Sequence, residues 1–129
     1  MRILIVGGGI AGLSLARALE RRGMTPELVE RRAVQPVSGA GLYLPGNATR
    51  AIDQLGLLAE LTAKAVPIER QRFLDANGKE LSSIVTGDVF EPCGPCLSLP
   101  RNALHEILQK SLQRTSLRPS QSVADIRQS

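Results

Sequence analysis

A chain of 129 residues fits one ordinary domain, because domains most often span about 100–150 residues, and two full domains are excluded. Hydrophobic residues at 43% and charged residues at 22% supply a core and exclude both a disordered polar tail and a membrane bundle. Sixteen Lys and Arg against twelve Asp and Glu give a net charge of +4, which suits an anionic ligand or a phosphate; Tyr43, Phe73 and Phe90 are too few aromatics for a base-stacking nucleic-acid platform.

Arg2 to Val6 is a short β-branched apolar run without alternation, the pattern of a parallel strand buried on both faces. It also mimics the start of a secretory leader, but Gly7-Gly8-Gly9 and Gly12 interrupt the apolar stretch and Arg17 stands where a leader stays apolar. No stretch reaches the roughly 18 uncharged apolar residues of a membrane span. The expected location is the cytoplasm, where Cys93 and Cys96 stay reduced. From Ile10 to Arg22, Leu13, Leu15, Ala16 and Leu19 suit a helix that Gly23 stops, and Pro26 to Glu30 supplies a second strand. Strand, tight turn, helix and strand within so short a stretch form a βαβ unit.

Glycines and prolines between Arg31 and Pro45 predict an irregular excursion, with a short strand at Gly41 to Leu44. Asn47 is expected to cap a helix running to about Leu55, which Gly56 stops, and a second short helix spans Leu58 to Lys64. Ile68 to Leu74 and Lys79 to Val85 read as antiparallel strands joined at Asp75-Ala76-Asn77-Gly78, since Asn-Gly is a strong hairpin signal. Segment 86–96 reads as loop, Leu97 to Leu99 as a brief strand, Asn102 to Gln113 as an amphipathic helix, and Val123 to Ile126 as a final strand. The fold class is α/β: a Rossmann-like βαβ unit with parallel strands and an added antiparallel hairpin, in a single domain 1–129 with 67–99 as an antiparallel strand insertion.

Gly7-Gly8-Gly9-Ile10-Ala11-Gly12 matches G-x-G-x-x-G between a strand and a helix. Gly7 permits the tight turn, Gly9 lets backbone approach a pyrophosphate, and Gly12 lets the helix pack closely on the strand. The helix amino terminus, at Ile10 and Ala11, offers unpaired N–H groups and a partial positive charge to phosphates. Glu30 lies 18 positions beyond Gly12, at the end of the second strand, where an acid accepts hydrogen bonds from ribose hydroxyls. A carboxylate there repels a 2′-phosphate and disfavours NADP; FAD and NAD stay open. Arg31 and Arg32 suit either adenine stacking and phosphate contact or a solvated pair.

Ile5-Val-Gly-Gly-Gly-Ile-Ala-Gly-Leu13, Leu28-Val-Glu-Arg-Arg32, Gly39-Ala-Gly-Leu-Tyr-Leu-Pro-Gly-Asn-Ala48 with Leu55-Gly-Leu57, and Leu99-Pro-Arg-Asn-Ala-Leu104 occur in that order. Together they resemble the FAD-dependent aromatic hydroxylases, the family of p-hydroxybenzoate hydroxylase and its salicylate hydroxylase-like relatives. The resemblance implies FAD as cofactor, Glu30 on the adenosine ribose and Arg31 beside the adenine end. It also implies that Arg101, in Arg101-Asn-Ala-Leu104, reaches the ribityl-pyrophosphate stretch. In a complete member, NAD(P)H reduces FAD and O₂ is used to hydroxylate a small aromatic substrate. In the family a Gly-Ala-Asp-Gly segment and later a Gly-Asp segment follow the strand that Val123 to Ile126 resembles; neither follows it here, so the chain is expected to match only the first part of such an enzyme. It is then expected to be inactive alone and to expose apolar faces that favour self-association or a complementing chain. No catalytic residue is nominated.

Cys93-Gly94-Pro95-Cys96 has the spacing of a dithiol redox site, but Leu97-Ser-Leu-Pro100 follows it and no helix is expected to start there, so ordinary thiols in a turn are the expectation. His105 is expected to be structural, at the surface or partly buried. Asp53 and Glu60 read as solvent-facing helix charges, and no metal site is assigned. The rival readings are a non-catalytic adenine-dinucleotide-binding module or remnant, a small NAD-dependent dehydrogenase, and a dithiol oxidoreductase.

Overall fold

The computed structural model describes residues 1–33, 40–90 and 92–127. Along the chain they form β1 (Leu4–Val6), α1 (Ile10–Glu20), β2 (Glu27–Val29), β3 (Gly41–Leu44), α2 (Gly46–Gln54), α3 (Leu58–Thr62), β4 (Val66–Pro67), β5 (Arg70–Leu74), β6 (Glu80–Val85), α4 (Thr86–Phe90), β7 (Leu97–Pro100), α5 (Arg101–Ser111) and β8 (Leu117–Arg118). Two compact units emerge: Met1–Ser38 with Leu104–Ser129, and Gly39–Ala103. Residues 34–39, within the irregular excursion expected between Arg31 and Pro45, and Glu91, within the expected loop 86–96, lie outside the described residues.

In the first unit a parallel sheet has the order β1-β2-β8, with Leu4 opposite Glu27 and Leu28 opposite Leu117. The βαβ unit is therefore present as expected. Its first strand departs from expectation: Ile5 is 6% exposed, but Leu4 and Val6 are 54% and 62% exposed. Successive side chains of a strand face opposite sides, and α1 covers only the side of Ile5. Leu13 and Ala16 of α1, Leu28 of β2, and Leu104, Ile107 and Leu108 of α5 are buried. At the end of α1 the chain turns through Gly23 at φ +80°, whose N–H donates to the Glu20 carbonyl at 2.9 Å while that of Met24 donates to Leu19 at 3.0 Å. A left-handed residue just past a helix favours glycine because it carries no Cβ.

Glu20 reads as a terminal helix charge in the sequence, yet it is buried. Its carboxylate accepts the backbone N–H groups of Gln113 at 3.0 Å, Arg114 at 2.8 Å and Thr115 at 2.6 Å, fastening the chain between α5 and β8. Burial pushes the Glu20 carboxyl up, but these N–H groups outweigh it and hold the group below its ordinary 4.5. The folded state then binds fewer protons than the unfolded one. This part of the stability is present above that value and is lost as pH falls through the lower folded one. Glu20→Ala is expected to cost about 2–4 kcal/mol by leaving three N–H donors without their acceptor, read as a lowered midpoint in urea unfolding. An unchanged midpoint would remove Glu20 from the account of this unit.

In the second unit β3, β7 and β4 form an antiparallel sheet with β7 in the middle, and β5 pairs with β6 as a separate hairpin. The hairpin turns where expected: Gly78 has φ +83°, and Asp75 Oδ1 accepts the N–H groups of Asn77 and Lys79, each at 2.9 Å. Three expectations are corrected. Asn47 is not a cap; α2 begins at Gly46 with Pro45 in the extended cap position and no side-chain cap bond, because Gly46 nests against Gly94 and Phe90, where a Cβ would meet the Gly94 oxygen at 2.5 Å. Segment 86–96 is not all loop, since Thr86–Phe90 forms α4, started by the Thr86 N–H bonded to the Glu69 carbonyl at 3.0 Å.

The third correction concerns the last strand. Val123 to Ile126 is not a strand; Ile126 is 86% exposed, and Asp125 spends its carboxylate on the Ile126 N–H and the Arg127 guanidinium. The parallel partner of β2 is instead Leu117–Arg118; beyond it Ser120 takes φ +58°, which breaks the regular register, and the Gln121 N–H donates to the Glu30 carbonyl at 2.9 Å. Among the described residues no helix is long and apolar enough to cross a membrane.

Candidate functional site

The loop between β1 and α1 is built from its glycines. Gly7 takes φ +111°, a region that side chains disfavour, and its N–H donates to the Val29 carbonyl at 2.7 Å, tying the loop to β2. Gly8 is buried, and a Cβ there would sit 2.9 Å from Leu117 Cδ1 and 3.2 Å from Glu30 Cβ. Gly9 is the N-cap of α1, with φ −78° and ψ −177°, and a Cβ on it would enter open space. Gly12 presses on the loop so closely that a Cβ would overlap the Gly7 carbonyl oxygen.

Leu13 is the first residue of α1 to donate back four residues, to Gly9 at 3.0 Å. The N–H groups of Ile10, Ala11 and Gly12 thus have no carbonyl within the helix to reach, and they concentrate the positive end of the helix dipole beside the open face of Gly9.

Glu30 follows β2 directly and closes this loop from the other strand. Its Oε2 accepts the Gly8 N–H at 2.8 Å and its Oε1 accepts the Arg32 N–H at 2.9 Å. The Arg32 N–H and then the Gly8 N–H hold its carboxyl below the usual carboxylate value against the opposing effect of burial, with lesser help from the charges of Arg32 and Arg31. A carboxylate has about four lone-pair positions, so two remain for hydroxyl donors. Arg31 and Arg32 are both exposed.

Gly7, Gly9, Ile10, Ala11, Gly12, Glu30 and Arg31 therefore come together in the first unit. Arg101 is the first residue of α5 and belongs to the second unit, where its N–H donates to the Ala40 carbonyl at 2.9 Å. Two participants in the loop escape a sequence reading. Gly8 occupies a free position of the motif, and only its place in a run of three glycines hints at a constraint. His105 is buried, with Nε2 2.7 Å from the Gly8 carbonyl oxygen; helical spacing places it near Leu104 and Leu108, but nothing in the sequence points to a partner 97 residues away.

Cys93 and Cys96 are free thiols in the turn between α4 and β7. The Cys93 N–H donates to the Phe90 carbonyl at 2.7 Å, and the buried Cys96 sulfur accepts the Tyr43 hydroxyl at 3.5 Å. That contact, with burial and the neighbouring sulfur, pushes the Tyr43 hydroxyl up from its ordinary value. Asp53 and Glu60 are exposed on α2 and α3.

Comparison with known proteins gives concordant findings. A family model described as FAD binding domain matches residues 1–126. The FAD-dependent monooxygenase ausM of Emericella nidulans is 36% identical over 131 residues, covering 99% of this chain and 27% of its own length. The 3-hydroxybenzoate 6-hydroxylase of Klebsiella oxytoca is 36% identical over 134 residues, covering 99% of this chain and 34% of its own length. This chain thus spans about a quarter to a third of the curated relatives it matches. Among solved structures, p-nitrophenol 4-monooxygenase PnpA from Pseudomonas putida DLL-E4 has a TM-score of 0.88 at 21% identity, covering 99% of this chain and 34% of that one, a likeness of fold. The flavin-dependent monooxygenase PieE, solved with FAD and substrate, has a TM-score of 0.73 at 28% identity, covering 93% and 24%.

Proposed function

Because this chain belongs to the FAD binding domain family of the flavin-dependent monooxygenases, we propose that residues Gly7 to Gly12 and Glu30 hold the adenosine and pyrophosphate part of FAD. The observation that carries this reading is the Gly8 N–H bonded to the Glu30 carboxylate at 2.8 Å beside a Gly9 whose outer face is open. The residues fit the group. A Cβ at Gly9 would fill the cradle next to the unpaired N–H groups of Ile10 and Ala11, and Glu30 keeps acceptor capacity for the two hydroxyls of a ribose. Arg31, exposed beside Glu30, is assigned to the adenine end, and Arg101 to the ribityl-pyrophosphate stretch on the strength of the motif Arg101-Asn-Ala-Leu104.

In a complete family member the bound flavin would supply redox chemistry with NAD(P)H as reductant and O₂ as oxidant, directed at a small aromatic substrate. This chain's share is binding and orientation, within a single FAD-binding domain in which 67–99 forms the antiparallel insertion. A cytoplasmic location and self-association belong to the same proposal; the exposed Leu4, Val6, Phe73 and Leu81 supply apolar surface for the latter.

The test is the near-ultraviolet and visible absorbance spectrum of the purified protein after incubation with FAD and desalting. A retained flavin spectrum is expected. A folded protein that keeps none overturns the reading, and retained flavin with NAD(P)H oxidation would favour an oxidoreductase over a nucleotide-binding module.

A further inference from the structure

His105 lies near the start of α5 with 7% of its surface exposed, and its Nε2 is 2.7 Å from the Gly8 carbonyl oxygen. A carbonyl oxygen only accepts, so this nitrogen carries a proton and donates. Gly8 is therefore held on both of its peptide groups, its N–H by Glu30 and its C=O by His105. There are no cis peptide bonds among the described residues, and in a trans peptide the C=O and the following N–H point in opposite directions. Each of the two bonds thus sets the far edge of its own peptide. The hold of Glu30 on the Gly8 N–H turns the Gly7 carbonyl toward Gly12, where only a glycine leaves room for it. The hold of His105 on the Gly8 carbonyl turns the Gly9 N–H away from α5.

We propose that His105 is a positioning residue for the nucleotide loop: through Nε2–H it locks the Gly8–Gly9 peptide so that the Gly9 N–H is presented with those of Ile10 and Ala11 as one array of donors. The identity of the ligand, FAD, rests on the functional reading above; the lock itself does not. Truncating the imidazole removes this donor from the buried Gly8 and loosens the peptide between two glycines, since neither residue has a Cβ to restrain it.

Two measurements decide it. In the ligand-free protein, nitrogen-detected NMR is expected to show His105 protonated at Nε2, and hydrogen exchange at the Gly9 amide is expected to rise in His105→Leu more than at the core amides of Leu13 and Leu28. In FAD titrations, His105→Leu is expected to weaken binding by about 10-fold, while His105→Gln, whose amide nitrogen can reach the same carbonyl, stays within about threefold of the parent. An Nδ1-protonated ring, or exchange that rises equally throughout the unit, overturns the lock. Equal FAD loss in His105→Leu and His105→Gln, tracking their loss of thermal stability, reduces His105 to a core residue and likewise overturns the proposal. A parent protein that binds no FAD but passes the ligand-free arm sinks the functional reading and leaves the lock standing.

Discussion

Replacing Glu30 by alanine is expected to lower FAD affinity by at least about 100-fold, with Glu30→Gln intermediate, measured by quenching of flavin fluorescence on titration. One side chain has three tasks, and alanine removes them all. Its oxygens accept the Gly8 and Arg32 N–H groups, its charge is favoured by Arg32 and Arg31, and its remaining lone pairs are the acceptors proposed for the ribose. Hydrogen bonds to a charged group contribute about 1.5–3 kcal/mol each, so losing two to the ligand alone reaches the stated factor. Glutamine keeps one acceptor oxygen but presents an NH₂ to the second N–H, which should break one of the two loop contacts and spare the other.

The pH dependence has a defined sign. Because the folded carboxyl lies below its ordinary 4.5, Glu30 stays ionised, and its contribution is complete above that value and lost as pH falls through the folded one. Unchanged FAD affinity in Glu30→Ala would detach the ribose from this residue.

What the sequence discloses and what it hides follows from the distance over which each feature is encoded. The β1-loop-α1-β2 unit is legible because its signals are local: an apolar run, glycines at fixed spacing, and an acid at the end of the next strand. The same holds for the β5–β6 hairpin, where Asp75 and Gly78 carry the turn within four residues. The hidden features are settled by partners far along the chain. Leu117–Arg118 is a poorer strand by composition than Val123 to Ile126, yet Leu117 is the residue that lies against Gly8 and pairs with Leu28.

Thr86–Phe90 contains Gly87 and two β-branched residues, a weak helix by propensity, and is held by the Thr86 bond to Glu69. Burial of Glu20 and His105 could be inferred from helical spacing at best. Their partners, Gln113 to Thr115 and Gly8, are created only when α5 and the segment after it return to the sheet.

Gly9→Ala and Gly12→Ala, three residues apart in one motif, are expected to fail in opposite ways. At Gly12 an added methyl would overlap the Gly7 carbonyl oxygen and approach the Gly7 carbon at 3.1 Å and Ile5 Cγ2 at 3.4 Å. Two of these atoms belong to the backbone and cannot rotate aside, so α1 would have to back away from β1. Alanine gains about 1 kcal/mol over glycine inside a helix, but overpacking of this kind costs about 1–3 kcal/mol or more where the neighbour cannot yield. The clash wins because it is made with the same carbonyl that the Gly8 peptide fixes in place. Gly12→Ala should therefore show a clearly lowered unfolding midpoint in denaturant, and FAD binding should fall along with the fold.

Gly9 has ordinary backbone angles and nothing within 4 Å of an added Cβ, so alanine there is conformationally allowed and should cost no more than about 1 kcal/mol, the penalty of a poorer N-cap. Its methyl would instead occupy the face across which the N–H groups of α1 reach the pyrophosphate, and FAD affinity should drop by about 10-fold or more while the unfolding midpoint barely moves. Parallel losses in both variants would mean that Gly9 is structural, and a Gly9→Ala protein that binds FAD like the parent would place the pyrophosphate away from this loop.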